Sequence, residues 1–156
     1  MTFTDTKTPF PHKAFWPTLA INGLWINASE VFRYFAFVMG DMRAAFPQIE
    51  NVAPMNVGVF MVWGVWDTIL LIFATGFAWL WFEKFGYGAK QALAAGTAAW
   101  LAVFGLLWVG LYNMNLATLD IMATALPLAW IEQVVAALIV NWGLQTFGRR
   151  RASASA

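Results

Sequence analysis

Long apolar stretches separated by short polar breaks constrain the fold of this chain more than any other feature. The four stretches cover residues 15–39, 56–82, 93–112 and 126–147. About 20 apolar residues are enough for a helix to cross the hydrocarbon core of a bilayer. Only helices and closed barrels can cross it, because lipid offers the backbone no hydrogen-bond partner. Runs such as 69–73 and 101–109 are apolar throughout instead of alternating, which argues against a barrel.

The composition leads to the same fold class. Of the 156 residues, 61% are hydrophobic and only 11% are charged. An ordinary soluble domain is about 45–50% apolar and about 25% charged. One domain of this length cannot hide so much apolar surface, so the remainder must face lipid. The sequence therefore predicts an all-α integral membrane protein folded as a bundle of four transmembrane helices.

Turn-forming residues divide the chain into a tail, one membrane domain and a second tail. Gly40, Asp41 and Pro47 are expected to end the first helix, and Pro127 lies at the start of the fourth. The predicted organisation is an N-terminal tail over residues 1–14, a single four-helix domain over 15–148, and a basic and then Ala/Ser-rich tail over 149–156. Residues 1–13 are of mixed polarity with two prolines, unlike a signal peptide, so we expect the first helix to be retained.

The lysines and arginines predict the orientation, because cytoplasmic loops are enriched in both. With four crossings, Arg43 alone lies in a loop on one side of the membrane, and Arg33 lies within the first helix. The remaining seven fall on the other side: Lys7, Lys13, Lys84, Lys90, Arg149, Arg150 and Arg151. We therefore expect a multi-pass protein of the plasma (inner) membrane with both termini in the cytoplasm.

Several classes of chemistry are excluded by what the sequence lacks. The net charge is +1 and the basic residues are dispersed, so no nucleic-acid partner is expected. Without cysteine there can be no disulfide, catalytic thiolate or iron–sulfur cluster. The single histidine, His12, lies in the polar tail, which excludes a haem held by two histidines of this chain. We expect no metal site and no cofactor.

Ionisable residues within the predicted helices are the strongest indication of a function. They are Glu30 and Arg33 in the first helix, Asp67 in the second and Glu132 in the fourth. On insertion scales such groups cost at least ~2.5–3.5 kcal/mol at a helix centre. At ~1.5 Å per residue, the three carboxylates lie ~9–16 Å below the outer surface. All three therefore fall in the outward-facing half, and Asn27 shares a helix side with Glu30.

Tryptophans lie close to two of the carboxylates along the chain. Trp63 and Trp66 precede Asp67, and Trp130 lies two residues before Glu132. A carboxylate beside aromatic faces suits a hydrophobic cation, and aromatic walls suit flat ring systems. Purely structural roles are the alternative. The tryptophans then fill space and donate hydrogen bonds, and the carboxyl groups fasten helices. Glu30 and Arg33, three residues apart, then simply offset each other's charge.

Three functions fit these features. The first is a protein that binds or transports an amphipathic or aromatic small molecule through a carboxylate- and tryptophan-lined site in the outer half of the bundle. A transporter with so narrow a core would need to form a homodimer. The second is an accessory or scaffold subunit of a larger membrane complex. The third is a cofactor-free membrane enzyme, of the isomerase or cyclase type, whose carboxyl groups act as acid and base on a lipid-soluble substrate.

Overall fold

Four long helices make up the part of the chain that the structure describes. The structure is a computed structural model, and it describes residues 11–52 and 54–149. Helix α1 runs over residues 12–45, through α-helix His12–Arg33, π-helix Tyr34–Val38 and α-helix Met39–Ala45. Helix α2 is Val57–Phe85. Helix α3 joins Ala89–Trp100, π-helix Leu101–Gly105 and Leu106–Asn113, and helix α4 is Leu119–Arg149. Most of both predicted tails, residues 1–10 and 150–156, lies outside the described residues.

Three of these helices are long and apolar enough to cross a membrane. They are α2, the whole of α3 over Ala89–Asn113, and Leu119–Gly148 of α4. Helix α1 is at least as long as these three helices, but polar side chains lower the mean hydropathy of its apolar run. They are Asn22, Asn27, Glu30 and Arg33. The described ranges contain helices and no strand. The prediction of an all-helical, membrane-embedded protein is thereby confirmed.

Two helix ends differ most from the sequence prediction. Helix α1 continues through Gly40 and Asp41 to Ala45, because a single glycine costs a helix only about 1 kcal/mol and does not end it. The helix stops at Phe46, the residue before Pro47, where the α conformation is disfavoured. Helix α4 begins at Leu119 rather than near 126, so that Pro127 lies inside it. Proline is tolerated within membrane helices where neighbouring groups satisfy the freed backbone.

Helices α2 and α3 are connected by a short turn. Helix α2 extends to Phe85, and α3 begins at Ala89 instead of near 93. Between them, Gly86 and Gly88 adopt φ angles of 88° and 135°, in the region that favours glycine. The Gly88 N–H donates to the Asn141 side-chain oxygen at 2.9 Å, which ties the turn to α4. We call this end of the bundle, with His12, the base, and the opposite end the loop end.

Helix α4 is the centre of the bundle and contacts the other three helices. Small residues let α3 approach it closely. Gly96 lies so near α4 that a Cβ atom there would come within 2.6 Å of the Val134 Cα. The core near the base is formed by buried residues of all four helices: Ala14, Ala78, Phe82, Ala92, Ala95, Ala137, Val140 and Leu144.

Polar side chains also join the helices. The Asn22 amide donates to the Thr75 hydroxyl at 3.0 Å, linking α1 to α2. The Trp100 indole donates to the Leu126 carbonyl oxygen at 3.0 Å, linking α3 to α4. Bonds of this kind in membrane proteins contribute ~0.6 kcal/mol each on average. They help to hold the register in which the helices present their other polar residues.

The loop-end half of α2 is exposed on nearly every side. The buried residues of this helix, Thr75, Ala78 and Phe82, all lie nearer the base. Between residues 57 and 66 only Val59 is half-buried and all others are exposed. Around Asp67 the helix therefore touches the bundle along a narrow strip, and most of its apolar surface faces outward.

Candidate functional site

Glu132 lies at the centre of a polar cluster between α1 and α4. Its side chain is only 2% exposed. The Ser29 hydroxyl donates to Glu132 Oε2 at 2.7 Å, and the Gln133 amide donates to Oε1 at 3.4 Å. The Trp25 indole donates to the Glu132 backbone oxygen at 3.1 Å. Donors from two helices thus stabilise this acid where neither lipid nor water could.

Arg33 joins Glu132 to a second acid. Its Nη2 donates to Glu30 Oε1 at 3.2 Å, and its Nε lies 3.6 Å from Glu132 Oε2. The guanidinium group also lies over the Phe104 ring, 5.5 Å from the ring centroid, where a cation–π contact adds to its stabilisation. The predicted local pair of Glu30 and Arg33 is therefore present as part of a larger arrangement, in which one cation serves two acids.

Asp67 extends the cluster to α2. Its side chain lies near that of Glu30. Both acids line a cavity of about 20 Å³, which has room for a single water molecule. We call Glu30, Arg33, Asp67 and Glu132 the carboxyl cluster and this space the carboxyl cavity.

The carboxyl cluster holds more acidic than basic groups. Its three carboxyl groups belong to Glu30, Asp67 and Glu132. Arg33 supplies a single positive charge against them. An unpaired charge in a low-dielectric interior strongly attracts a counter-charge. The arrangement can therefore bind a cation or take up a further proton.

Two π-helical segments meet at this cluster. Arg33 immediately precedes the π segment of α1, and Phe104 belongs to that of α3. Short π segments in α-helices are frequent at functional sites, because the inserted residue turns nearby side chains to new directions. Here the two segments bring the guanidinium and the phenyl ring into contact across the bundle.

Four of the eight predicted site residues lie outside the carboxyl cluster, and within the cluster only Glu30 and Asp67 line the carboxyl cavity. The Asn27 amide donates to the Gly23 carbonyl oxygen of its own helix at 2.8 Å, away from Glu30. Trp63 and Trp66 are 56% and 52% exposed on the outer surface of α2. The Trp130 indole donates to the Thr97 hydroxyl at 3.0 Å and thus fastens α4 to α3. The apolar wall of the cavity is instead formed mainly by Ile26, Leu70, Leu71, Phe73, Val103 and Phe104.

Sequence reasoning missed three residues that contact the carboxyl cluster: Trp25, Ser29 and Phe104. Trp25, Ser29 and Arg33 are spaced four residues apart, so they share one side of α1. That side faces Glu132 in all three cases. The spacing is visible in the sequence. The contact between Phe104 and Arg33 depends on a π segment, which no sequence pattern predicts. Within residues 11–52 and 54–149, no group of three His, Cys, Asp or Glu side chains has the geometry of a metal site.

Comparison with known proteins gives no further guide to the function. No protein-family model, curated protein or solved structure matches the chain. A functional argument must therefore rest on the chemistry of the site itself.

Proposed function

We propose that all four helices cross the plasma (inner) membrane and that both termini lie in the cytoplasm. The supporting observation is the distribution of basic residues: among the described residues, Lys13, Lys84, Lys90 and Arg149 lie at the base, against Arg43 at the loop end. Helix α1 is long enough to span, and Glu30 and Arg33 interact with each other. Its ionisable groups therefore need not face lipid, which allows a helix of moderate hydropathy to cross.

The absence of cysteine makes this topology testable with single cysteines. Gln48→Cys and Met114→Cys place a thiol in each loop at the loop end, and Lys90→Cys places one at the base. In intact cells, a membrane-impermeant maleimide should label the first two variants, and the third only after permeabilisation. Labelling of only one of the two loop-end thiols in intact cells would show that α1 or another helix does not cross.

We propose further that the protein binds or transports an amphipathic small molecule, of which an aromatic cation is the best example. The observation that carries this is a cluster of three carboxyl groups with a single arginine within the bundle: Arg33 contacts Glu30 and Glu132, and Asp67 lines the same cavity as Glu30. Burying ionisable groups within a membrane costs free energy. An excess of charge of one sign costs more, unless a counter-ion binds. Placed in the outward-facing half, the carboxyl cluster recognises the charged end of the ligand.

Asp67 provides the sharpest test of this function. Asparagine keeps the size and hydrogen bonding of the side chain but removes its ability to ionise, whereas leucine removes both. With tetraphenylphosphonium as a probe, Asp67→Asn should keep the thermal stability of the parent in detergent and lose at least about tenfold in affinity. That loss corresponds to ~1.4 kcal/mol. Asp67→Leu should lose stability as well as binding.

The matched control is Asp41→Asn, which removes an exposed acid near the loop end of α1. Its affinity for the probe should equal that of the parent. Parent-like binding by Asp67→Asn would remove Asp67 from the site. An equal loss of affinity in both variants would show that negative charge attracts the cation in general and that Asp67 provides no specific site.

A second candidate, an accessory subunit of a larger membrane complex, is favoured by a different observation. The exposed half of α2 presents Trp63, Trp66 and many aliphatic side chains outward. Aromatic residues are enriched where proteins meet. Purification from membranes in a mild detergent, followed by identification of associated chains, tests this role. A chain that co-purifies with the parent and is lost from a Trp63→Ala/Trp66→Ala variant would favour it.

A further inference from the structure

A second and larger space lies on the outer surface of the bundle beside the carboxyl cavity. It is an open groove of about 780 Å³ along the surface of α1, which we call the lateral groove, and Leu71 of α2 lines one part of it. Its wall is apolar apart from Asn27 and includes the small residues Ala20, Gly23 and Ala28. Binding sites for small molecules typically measure about 300–1,000 Å³ and are mostly apolar with a few polar groups. The apolar wall with a single amide therefore has the right character for the body of such a ligand.

Leu71 is the residue that the two spaces have in common. It lines the lateral groove with Gly23 and Asn27, and it lines the carboxyl cavity with Glu30 and Asp67. Its Cδ2 atom lies where it would be 2.9 Å from a Cβ atom at position 23. The missing side chain of Gly23 thus makes room for the tip of Leu71. A leucine side chain can move by rotation about its own bonds without displacement of the backbone.

We propose that the lateral groove and the carboxyl cavity form one route from the bilayer to the carboxyl cluster, with Leu71 as its gate. This proposal rests on the proposed function and specifies the ligand as an amphipathic cation that arrives from the lipid. Its apolar body lies in the groove, and its charged end passes Leu71 to reach Glu30 and Asp67. Charge complementarity supports this occupant, because the cluster has three carboxyl groups and a single arginine. The cavity alone, at about 20 Å³, holds no more than a water molecule.

Cysteine labelling tests the route without the need for a known ligand. Ala74→Cys places a single thiol on the wall of the carboxyl cavity. In membranes, pyrenyl maleimide, which partitions into lipid, should react with this thiol faster than a charged maleimide of similar size. Adding Leu71→Ala should raise the rate at which the lipid-soluble reagent reacts with the thiol by at least about threefold. Adding Leu71→Trp should lower that rate by at least about tenfold. Leu80→Ala, an exposed leucine on the same helix, is the matched control and should change neither rate.

Binding of tetraphenylphosphonium then distinguishes the route from the function. Leu71→Trp should slow association of the probe by about tenfold, and Leu71→Ala should speed it. Thermal stability near that of the parent shows that each variant is folded. If Leu71→Trp fails to fold, the acceleration in Leu71→Ala decides alone.

Two results would overturn the route while the proposed function stands. One is labelling and association rates that do not respond to either Leu71 variant although Asp67→Asn has lost binding. The other is faster labelling of the thiol by the charged reagent, which indicates access from water at the loop end. Failure of the parent to bind the probe, with labelling that still follows Leu71, would contradict the proposed ligand and leave an open route to the cluster.

Discussion

Replacing Gly96 by alanine is expected to lower the free energy of unfolding by about 1–3 kcal/mol, the usual range for overpacking. The added Cβ would lie 2.6 Å from the Val134 Cα and 2.7 Å from the Gln133 backbone oxygen. Both are backbone atoms of α4, so the clash cannot be relieved by rotation of a side chain. Helix α4 would have to move away from α3, and Glu132, one residue before Gln133, would move with it. Thermal unfolding in detergent measures the loss.

Gly76→Ala is the matched control for this change. A Cβ atom at position 76 of α2 meets no other atom within 4 Å. Alanine is intrinsically the better helix former by about 1 kcal/mol, so this variant should be as stable as the parent or slightly more so. The same intrinsic gain applies at Gly96 and works against the expected loss. Unchanged stability in Gly96→Ala would therefore show that α3 and α4 are not in such close contact.

The fold class and the heights of the ionisable residues followed from the sequence because both depend on simple lengths. An apolar run of sufficient length predicts a helix, and a rise of ~1.5 Å per residue predicts depth. Glu30, Asp67 and Glu132, on three different helices, accordingly lie in one cluster. Helix ends were less predictable. Gly40 and Pro127 usually mark breaks, yet a membrane helix can continue through both at modest cost.

The tryptophans show where closeness along the chain misleads. Trp66 is adjacent to Asp67 and Trp130 is two residues from Glu132, but residues one or two apart on a helix point to different sides. Trp66 faces outward while Asp67 lies beside Glu30, and Trp130 reaches Thr97 while Glu132 contacts Ser29. A spacing of four along α1, as in Trp25, Ser29 and Arg33, was the more informative pattern. The π segments could not be predicted, since they arise from packing between helices.

Arg33→Gln is expected to lower the free energy of unfolding by about 3–5 kcal/mol, the cost of breaking a buried ion pair from one side. Arg33 contacts both Glu30, at 3.2 Å, and Glu132, at 3.6 Å. Its loss leaves two acids without their cation. Thermal or denaturant unfolding in detergent measures the effect. Lys13→Gln, an exposed position near the base of the same helix, is the matched control and should change stability by less than about 0.5 kcal/mol.

Second substitutions show which acid depends more on Arg33. Glu132 is 2% exposed and Glu30 is 20% exposed, so Glu132 is the more deeply buried of the two acids. Adding Glu132→Gln to Arg33→Gln removes the more deeply buried charge, so it should restore more stability than adding Glu30→Gln. The differences between double and single variants measure each coupling directly. Full restoration by Glu30→Gln, with none by Glu132→Gln, would reduce the cluster to a local pair on α1 and would leave Glu132 stabilised by Ser29 and Gln133 alone.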